Sequence, residues 1–326
     1  MKPELFDAGA VHLGLRWDAG RSADVRLRIA RPTAAAAMLG RPADQAVRLV
    51  PLLHSLCGAA QGAAARLALQ AARGEASTPA IDGAVLAEAQ REHLWRLLLD
   101  WPAALGLPPQ QALLVEGRRR LQDGSFAAWM GAALKVPFAA VEAAANGLSS
   151  QPLPDGLQSL PALTAAETAT LWPRLDGNFS AAPTYRGRPA ETGALARHGA
   201  GTAISPLLAR IRARMDDLHA AHGLGRTSAA TIAAGVGRAA VETARGLLLH
   251  EITLDGDRIS AYVIVAPTEW NFHPEGVLKT WLQDALAATP DELKAQAARA
   301  VLALDPCVRC TIEVDSGEAY GSDNIN

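Results

Sequence analysis

The sequence predicts an α+β fold that is mainly helical, with a helical core and two small antiparallel β-hairpins near residues 11–32 and 247–266. Three observations carry that expectation. Apolar residues recur at helical spacing in several segments between residues 41 and 146, and two short segments alternate apolar and polar residues about turn sequences. With 326 residues and 49% apolar content, the chain can also bury a sizeable core.

The elements follow in order. VHLGLRWDAGRSADVRLRIARP, residues 11–32, has two alternating runs around Asp18-Ala-Gly-Arg-Ser and reads as a hairpin. A helical pattern over 41–74 centres on Leu49, Leu53, Leu56 and Leu67, and a second over 82–101 on Leu86, Leu94, Trp95, Leu98 and Leu99, with Asp100-Trp-Pro as its end. An amphipathic segment spans 108–146. The Pro-, Ser- and Gly-rich stretch from Asn146 to Pro161 reads as a loop or soft boundary within one domain covering 1–326. Residues 176–205 are irregular, and a helix over 206–222 follows. LLLHEITL and ISAYVIVA flank the turn Asp255-Gly-Asp-Arg as the second hairpin. Helices are then expected at 276–288 and at 290–303, the latter opened by Thr289 and Pro290. The polar tail, residues 314–326, is expected to be flexible.

Composition excludes several function classes. Three cysteines cannot complete a disulfide framework, and the chain opens without the basic region, apolar run and cleavage site of a secretory signal, so a cytoplasmic protein with reduced thiols is expected. Apolar runs such as Leu97–Leu99 fall far short of the roughly 20 residues that cross a bilayer. A net charge of −2, four lysines and no basic block leave no footprint for nucleic acid.

Two cysteines stand in DPCVRC, Cys307 and Cys310. A Cys-x-x-Cys chelates a soft metal, works as a redox dithiol, or supplies half of a zinc site. Here it follows a predicted helix instead of opening one, and no second ligand pair accompanies it, which weakens the redox and zinc readings. The plainer alternative is two small buried hydrophobes. Cys57 lies in LLHSLCGAAQGAAARLALQAA, where it is either an inert core thiol or, given its Gly and Ala neighbours, the edge of a space for a compact bound group. His54, three residues earlier, either faces the same space or is a helix residue. In VETARGLLLHEITLDGDRISAYVIVAPTEWNFHPEG, pairing of the strands brings Arg245 and Thr268 to one end of the hairpin. They form an ordinary salt bridge and turn cap, or a polar clamp for a small anionic ligand. His219 and His222, one helical turn apart, read as a solvated helix face or a metal pair.

These segments carry a resemblance. DPCVRCTIE resembles the C-terminal DPCxxCxxH motif of nickel-iron hydrogenase large subunits, and SLCGAAQGAAA their N-terminal RxCGxCxxxH motif. ETARG, the GALAR at Gly193–Arg197 and VAPTEWNFHP resemble further blocks of that family, in the same order along the chain. The resemblance implies a degenerate, shortened version of the large-subunit fold. By position, Cys57 and Cys307 match terminal nickel ligands and Cys310 a bridging ligand, while Ala60 replaces the other bridging cysteine and Ala64 and Glu313 replace the motif histidines. The RGxE block has no clear counterpart around Arg31–Gly40.

The departures shape the function the resemblance implies. Three thiols cannot build the four-sulfur dinuclear site, so nickel is not expected. An iron bringing two cyanides and one carbon monoxide needs fewer protein ligands, and Cys310 with Cys307 or Cys57 would hold it transiently. Arg245 and Thr268, flanked by Ala244 and Pro267, would then receive the cyanides, and an apolar lining the carbonyl. The pattern, including REHLWRLLLDWP at Arg91–Pro102, is similar to the non-catalytic HupK/HoxV-type maturation paralogues. That likeness implies a scaffold and not an enzyme, with partners among the proteins that build the iron unit and the hydrogenase large subunit as acceptor. With Glu313 in place of the histidine that marks C-terminal processing, the tail is expected to persist. The alternatives are a metal-free interaction protein and a hydrogenase with an altered metal site.

Overall fold

The computed structural model describes residues 9–30, 34–148, 158–199, 205–220 and 223–316. Strands β1 (Ala10–Asp18) and β2 (Arg21–Ala30) form the expected first hairpin, turned by Ala19 and Gly20, both at positive φ. The single 41–74 helix is divided into α1 (Ala43–Leu49), a 3-10 turn at Val50–Leu53 and α2 (Gly58–Ala72). Pro51, without an N–H, and the small Gly58 packed against its carbonyl account for the interruption, which leaves Cys57 as the residue that opens α2.

Strand β3 (Ser77–Ile81) precedes α3 (Gly83–Trp95), whose Asp82 side chain accepts from Ala84 and Val85 N–H as an N-cap. Contrary to expectation, Asp100-Trp-Pro does not end this helix. A π-helical turn, Arg96–Asp100, carries it into α4 (Trp101–Ala104), where Pro102 sits in the first turn and needs no donor. The amphipathic segment resolves into α5 (Gln111–Asp123), α6 (Phe126–Ala133) and α7 (Lys135–Gly147). Most of the anticipated boundary, residues 149–157, lies outside the described residues. A short helix, α8 (Ala165–Leu171), precedes the irregular region, which holds two more, α9 (Gly177–Ala181) and α10 (Ala194–His198), before α11 (Pro206–Ala220).

The second hairpin is part of a larger sheet. Strands β4 (Arg226–Ala233), β5 (Val236–Thr243), β6 (Gly246–Asp255) and β7 (Arg258–Val265) join β3 in the antiparallel order β3-β4-β5-β6-β7. RTSAATIA and VGRAAVET escaped the sequence reading because they carry Ala, Gly, Ser and Thr where strands ordinarily announce themselves with bulky branched residues. The small residues are needed for packing: a Cβ at Gly237 would collide with Ala72 N and Ala68 O of α2, which lies directly on β5. The alanine face of α2 (Ala60, Ala64, Ala68) thereby forms one core with Val241, Leu248 and Ile252. The opposite face of the sheet packs Leu247, Leu249 and Val265 against Trp270 and Tyr185.

After β7 come α12 (Pro267–Asn271), α13 (Val277–Leu282), shorter than the predicted 276–288 helix, and α14 (Pro290–Leu304), capped as expected by Thr289 on Glu292 N–H. The tail then departs from expectation: β8 (Arg309–Asp315) pairs parallel with β1, so residues 314 and 315 belong to a mixed sheet ordered β2-β1-β8. Val11, Leu13, Leu15, Ile312 and Val314 supply the apolar face that α13 and α14 cover. Among the described residues no single helix is long and apolar enough to cross a membrane, although α6 and α7, bent by 54°, together have the length and composition of a broken span.

Candidate functional site

Cys57 is placed by the start of α2. The first N–H groups of that helix lack intrahelical acceptors, and Glu88 from α3 supplies them, accepting from Ala59 at 2.7 Å and Ala60 at 3.1 Å. The Glu88 carboxyl is raised by burial, which the two N–H bonds partly counter. Burial pushes the Cys57 thiol up to about 12, with the neighbouring Cys307 adding to the rise and Arg245 opposing it.

Cys307 is placed from the other end of the chain. Helix α14 stops at Asp305, which takes a left-handed conformation (φ 54°), and the chain turns toward α12. There the Cys307 N–H donates to Thr268 Oγ1 at 3.3 Å, and Cys307 Sγ lies 3.2 Å from the same oxygen.

Arg245 occupies the two-residue turn between β5 and β6. Gly246 (φ 124°) and Gly193 (φ 110°) allow the Thr192–Gly193 loop to lie against this turn; a Cβ on Gly193 would sit 2.8 Å from the Arg245 carbonyl. The guanidinium is 5% exposed and held by acids: Nη2 is 2.7 Å from Glu92, and Nε is 3.3 Å from Asp305. Asn271 Nδ2 donates to its carbonyl at 3.2 Å, tying α12 to the turn. Burial disfavours the charge of Arg245, but Asp305, Glu92, Cys307 and Cys57 together raise it above the ordinary value. Asp305, fully buried, also meets Arg96 at 2.6 Å and Arg214 at 3.2 Å. Burial alone would raise its carboxyl, yet the three guanidiniums hold it well below the usual carboxylate range.

A cavity of about 510 Å³ opens between these elements. Cys57, Cys307 and Thr268 line it, as does His54, whose Nδ1 is 2.9 Å from the Val50 carbonyl oxygen. Ala35, Leu53 and Ile264 supply apolar wall. Arg245 is not part of the lining; it acts on both thiols as a charge behind them. Pro267 is buried at the start of α12, between Ala266 and Thr268, which do line the cavity. Ala244 faces away, packed on Ala89 and Leu224.

The structure does not bring Cys310 into this cavity. In β8 it stands opposite Val11, on the sheet face that carries Ile312 and Val314, and joins their core as a half-buried apolar residue. Cys307 precedes the strand and is held against Thr268 instead. Burial raises the Cys310 thiol to about 11. Glu313 is on the other, exposed face, and the methyls of Ala60 and Ala64 are fully buried against the five-stranded sheet. His219 Nδ1 is 2.8 Å from the Met215 carbonyl oxygen of its own helix, and His222 lies outside the described residues. Among the described residues no group of three or more His, Cys, Asp or Glu side chains is placed to hold a metal.

Three lining or supporting groups were not anticipated. Gln61 and Tyr262 line the cavity, and Asp305 anchors the Arg245 side of it. The available signal was His250: alternation in LLLHEITL puts this polar residue on the core face with Leu248 and Ile252, where it requires buried partners.

Residues 202–313 match the nickel-dependent hydrogenase family. Over most of its length the chain is similar to the hydrogenase expression/formation protein HupK of Rhizobium leguminosarum bv. viciae, with 32% identity over 95% of this chain and 98% of that protein. HupK of Azotobacter vinelandii is 31% identical over 94% and 99%, and HoxV of Cupriavidus necator 29% over 87% and 91%. Among solved structures, a chain of the [NiFeSe]-hydrogenase of Desulfomicrobium baculatum superposes with a TM-score of 0.59 at 15% identity, covering 89% of this chain and 94% of its own. The Ni-Fe-Se hydrogenase of Desulfovibrio vulgaris Hildenborough gives 0.55 at 16% identity with the same coverage. At these identities the structural likeness concerns the fold.

Proposed function

The chain belongs to the HupK/HoxV family of hydrogenase expression/formation proteins, and from that premise we propose that it is a maturation scaffold whose cargo is an iron carrying two cyanides and one carbon monoxide. The cargo is held between Cys57 and Cys307 and passed toward a nickel-iron hydrogenase large subunit. One observation carries the reading: two thiols from opposite ends of the chain converge on a single cavity, backed by a fixed guanidinium and lined by the Thr268 hydroxyl.

The donor set suits such cargo. An iron that brings three ligands of its own needs few from the protein, and two thiolates supply them. Cyanide nitrogens accept hydrogen bonds and favour the Thr268 side, where the Arg245 charge also compensates thiolate charge. Carbon monoxide suits the apolar wall at Leu53 and Ile264. The absence of a third cavity thiol makes attachment weaker than in a four-sulfur site, as a carrier requires. The role is assembly, without turnover.

Infrared spectroscopy tests this on protein isolated from cells that co-produce the maturation proteins. Cyanide and carbonyl stretching bands, with about one iron per chain, are expected; protein free of both bands and iron would overturn the reading.

A second reading, a metal-free docking protein, is favoured by the cavity mouth. Leu39 and Leu56 there are 49% and 45% exposed, and neighbouring Leu52 is 78% exposed. Its signature is undiminished capture of hydrogenase maturation proteins by a variant lacking all three cysteines.

A further inference from the structure

Gln61, His250 and Tyr262 form a hydrogen-bonded row beside Cys57 that the cargo reading leaves unused. His250 is fully buried on the face of β6 that meets α2. Its Nδ1 lies 2.8 Å from the Tyr262 hydroxyl and its Nε2 2.9 Å from Gln61 Oε1. Burial, reinforced by the charge of His54, holds its pKa well below the ordinary histidine value, so the ring is neutral, with one N–H and one bare nitrogen.

The polarity of the row follows from its partners. Gln61 Oε1 accepts and never donates, so the ring proton resides on Nε2. The bare Nδ1 then accepts from the Tyr262 O–H. With its oxygen engaged, the Gln61 side chain has its NH2 group left to donate, and Cys57, four residues earlier at the start of the same helix, lines the same cavity. Gln61 is 2% exposed, yet it and Tyr262 both line the cavity, whereas His250 does not.

We propose that Gln61 is a hydrogen-bond donor to the anionic ligands of cargo held at Cys57, and that His250 is the positioning residue that fixes which way the Gln61 amide faces. This rests on the cargo reading above and adds specificity to it. The amide N–H is directed to a cyanide nitrogen of cargo at Cys57, a far stronger acceptor than carbonyl oxygen, so the row discriminates between the two ligand types. On the Cys307 side Thr268 has the corresponding place; the two donors stand at the two thiols.

Two measurements test it. In the cargo-free protein, long-range 15N–1H correlation spectra of the histidine rings are expected to show His250 as the Nε2–H tautomer; the Nδ1–H tautomer would overturn the assigned direction. In protein loaded by the maturation machinery, Gln61→Met keeps the side-chain length and removes the donor. One cyanide band is expected to move to lower wavenumber, because a hydrogen bond at nitrogen stiffens the C–N bond, with little change in the carbonyl band. Tyr262→Phe, which frees the His250 ring to reverse, is expected to move the same band less. Unchanged cyanide bands in Gln61→Met, with wild-type bands present, would overturn this inference alone. Wild-type protein without bands would overturn the cargo reading and this inference with it. Circular dichroism of each variant separates a folding failure, in which all bands are lost, from the predicted single-band shift, and a Gln61→Glu variant, which retains an acceptor but no N–H, is expected to reproduce the shift.

Discussion

Asp305 Oδ1 and Arg245 Nε stand 3.3 Å apart in the interior, two residues before Cys307, and the same carboxylate meets Arg96 and Arg214. One carboxylate thus balances three buried or half-buried guanidiniums. Removing it strands positive charge away from water, which costs about 3–5 kcal/mol. Asp305→Asn is expected to lower stability by about that amount in urea unfolding, and to reduce iron retention through displacement of Arg245.

The thiols are expected to divide two against one. Cys57→Ala and Cys307→Ala should each cut the iron retained after desalting by at least about tenfold, a loss of roughly 1.4 kcal/mol in binding. Cys310→Val should leave it unchanged and alter stability by less than about 1.5 kcal/mol, since Cys310 sits on an apolar sheet face. Iron analysis and infrared spectra of the three variants check this; dependence on Cys310 would show that the strand rearranges on loading.

Thr268→Val removes the acceptor of the Cys307 N–H at nearly constant volume. A donor left without a partner costs about 1–3 kcal/mol, so a drop of that size is expected in chemical unfolding, with weaker cargo retention.

Thiol reactivity should follow burial. A thiol raised to about 12 carries roughly a thousandfold less thiolate near neutral pH than an ordinary one, so Cys57 should alkylate far more slowly than a free thiol. Mass spectrometry after timed iodoacetamide treatment at pH 8 reads this directly.

Acid should destabilise the fold in a defined window. Burial lowers His250 well below the ordinary 6.5, so the folded chain binds this proton less readily than the unfolded one. Its contribution is complete above 6.5 and declines as pH falls, at up to about 1.4 kcal/mol per pH unit. Asp305, also depressed, extends the decline below its ordinary 3.8. Urea unfolding at pH 7, 6 and 5 should show this slope, reduced in His250→Gln; Glu88 and Glu242, both raised by burial, act in the opposite sense.

Much of the site was legible because its chemistry is concentrated in short segments. DPCVRC, SLCGAAQG, ETARG and APTEW carry Cys307, Cys57, Arg245 and Thr268, and pairing of β6 with β7 was enough to bring the last two to one end. Cys310 was misplaced because a Cys-x-x-Cys spacing does not reveal where a strand begins: Cys307 lies before β8 and Cys310 inside it. Glu313 was read through its motif position, while its strand turns it to solvent.

The larger omission was β4 and β5. Their alanines and glycine read as weak strand formers, yet Gly237 and Ala239 are small where α2 rests on that sheet. Close packing between two elements far apart in sequence is carried here by small residues, which leave no bulky apolar pattern in the strands. Likewise, the acids that hold Arg245, Glu92 and Asp305, have no local signature: their meaning is set by partners 153 residues away in one case and 60 in the other.

The pairing of β8 with β1 joins residues such as His12 and Thr311, 299 positions apart. A ribosome releases the first of these strands long before the second, while α2 and the five-stranded sheet are complete by residue 265. The two cavity thiols are therefore placed in time order, Cys57 with α2 and Cys307 only after α14 has been made. Under the proposed carrier role, cargo spanning both thiols is expected to bind only after residue 307 has been made.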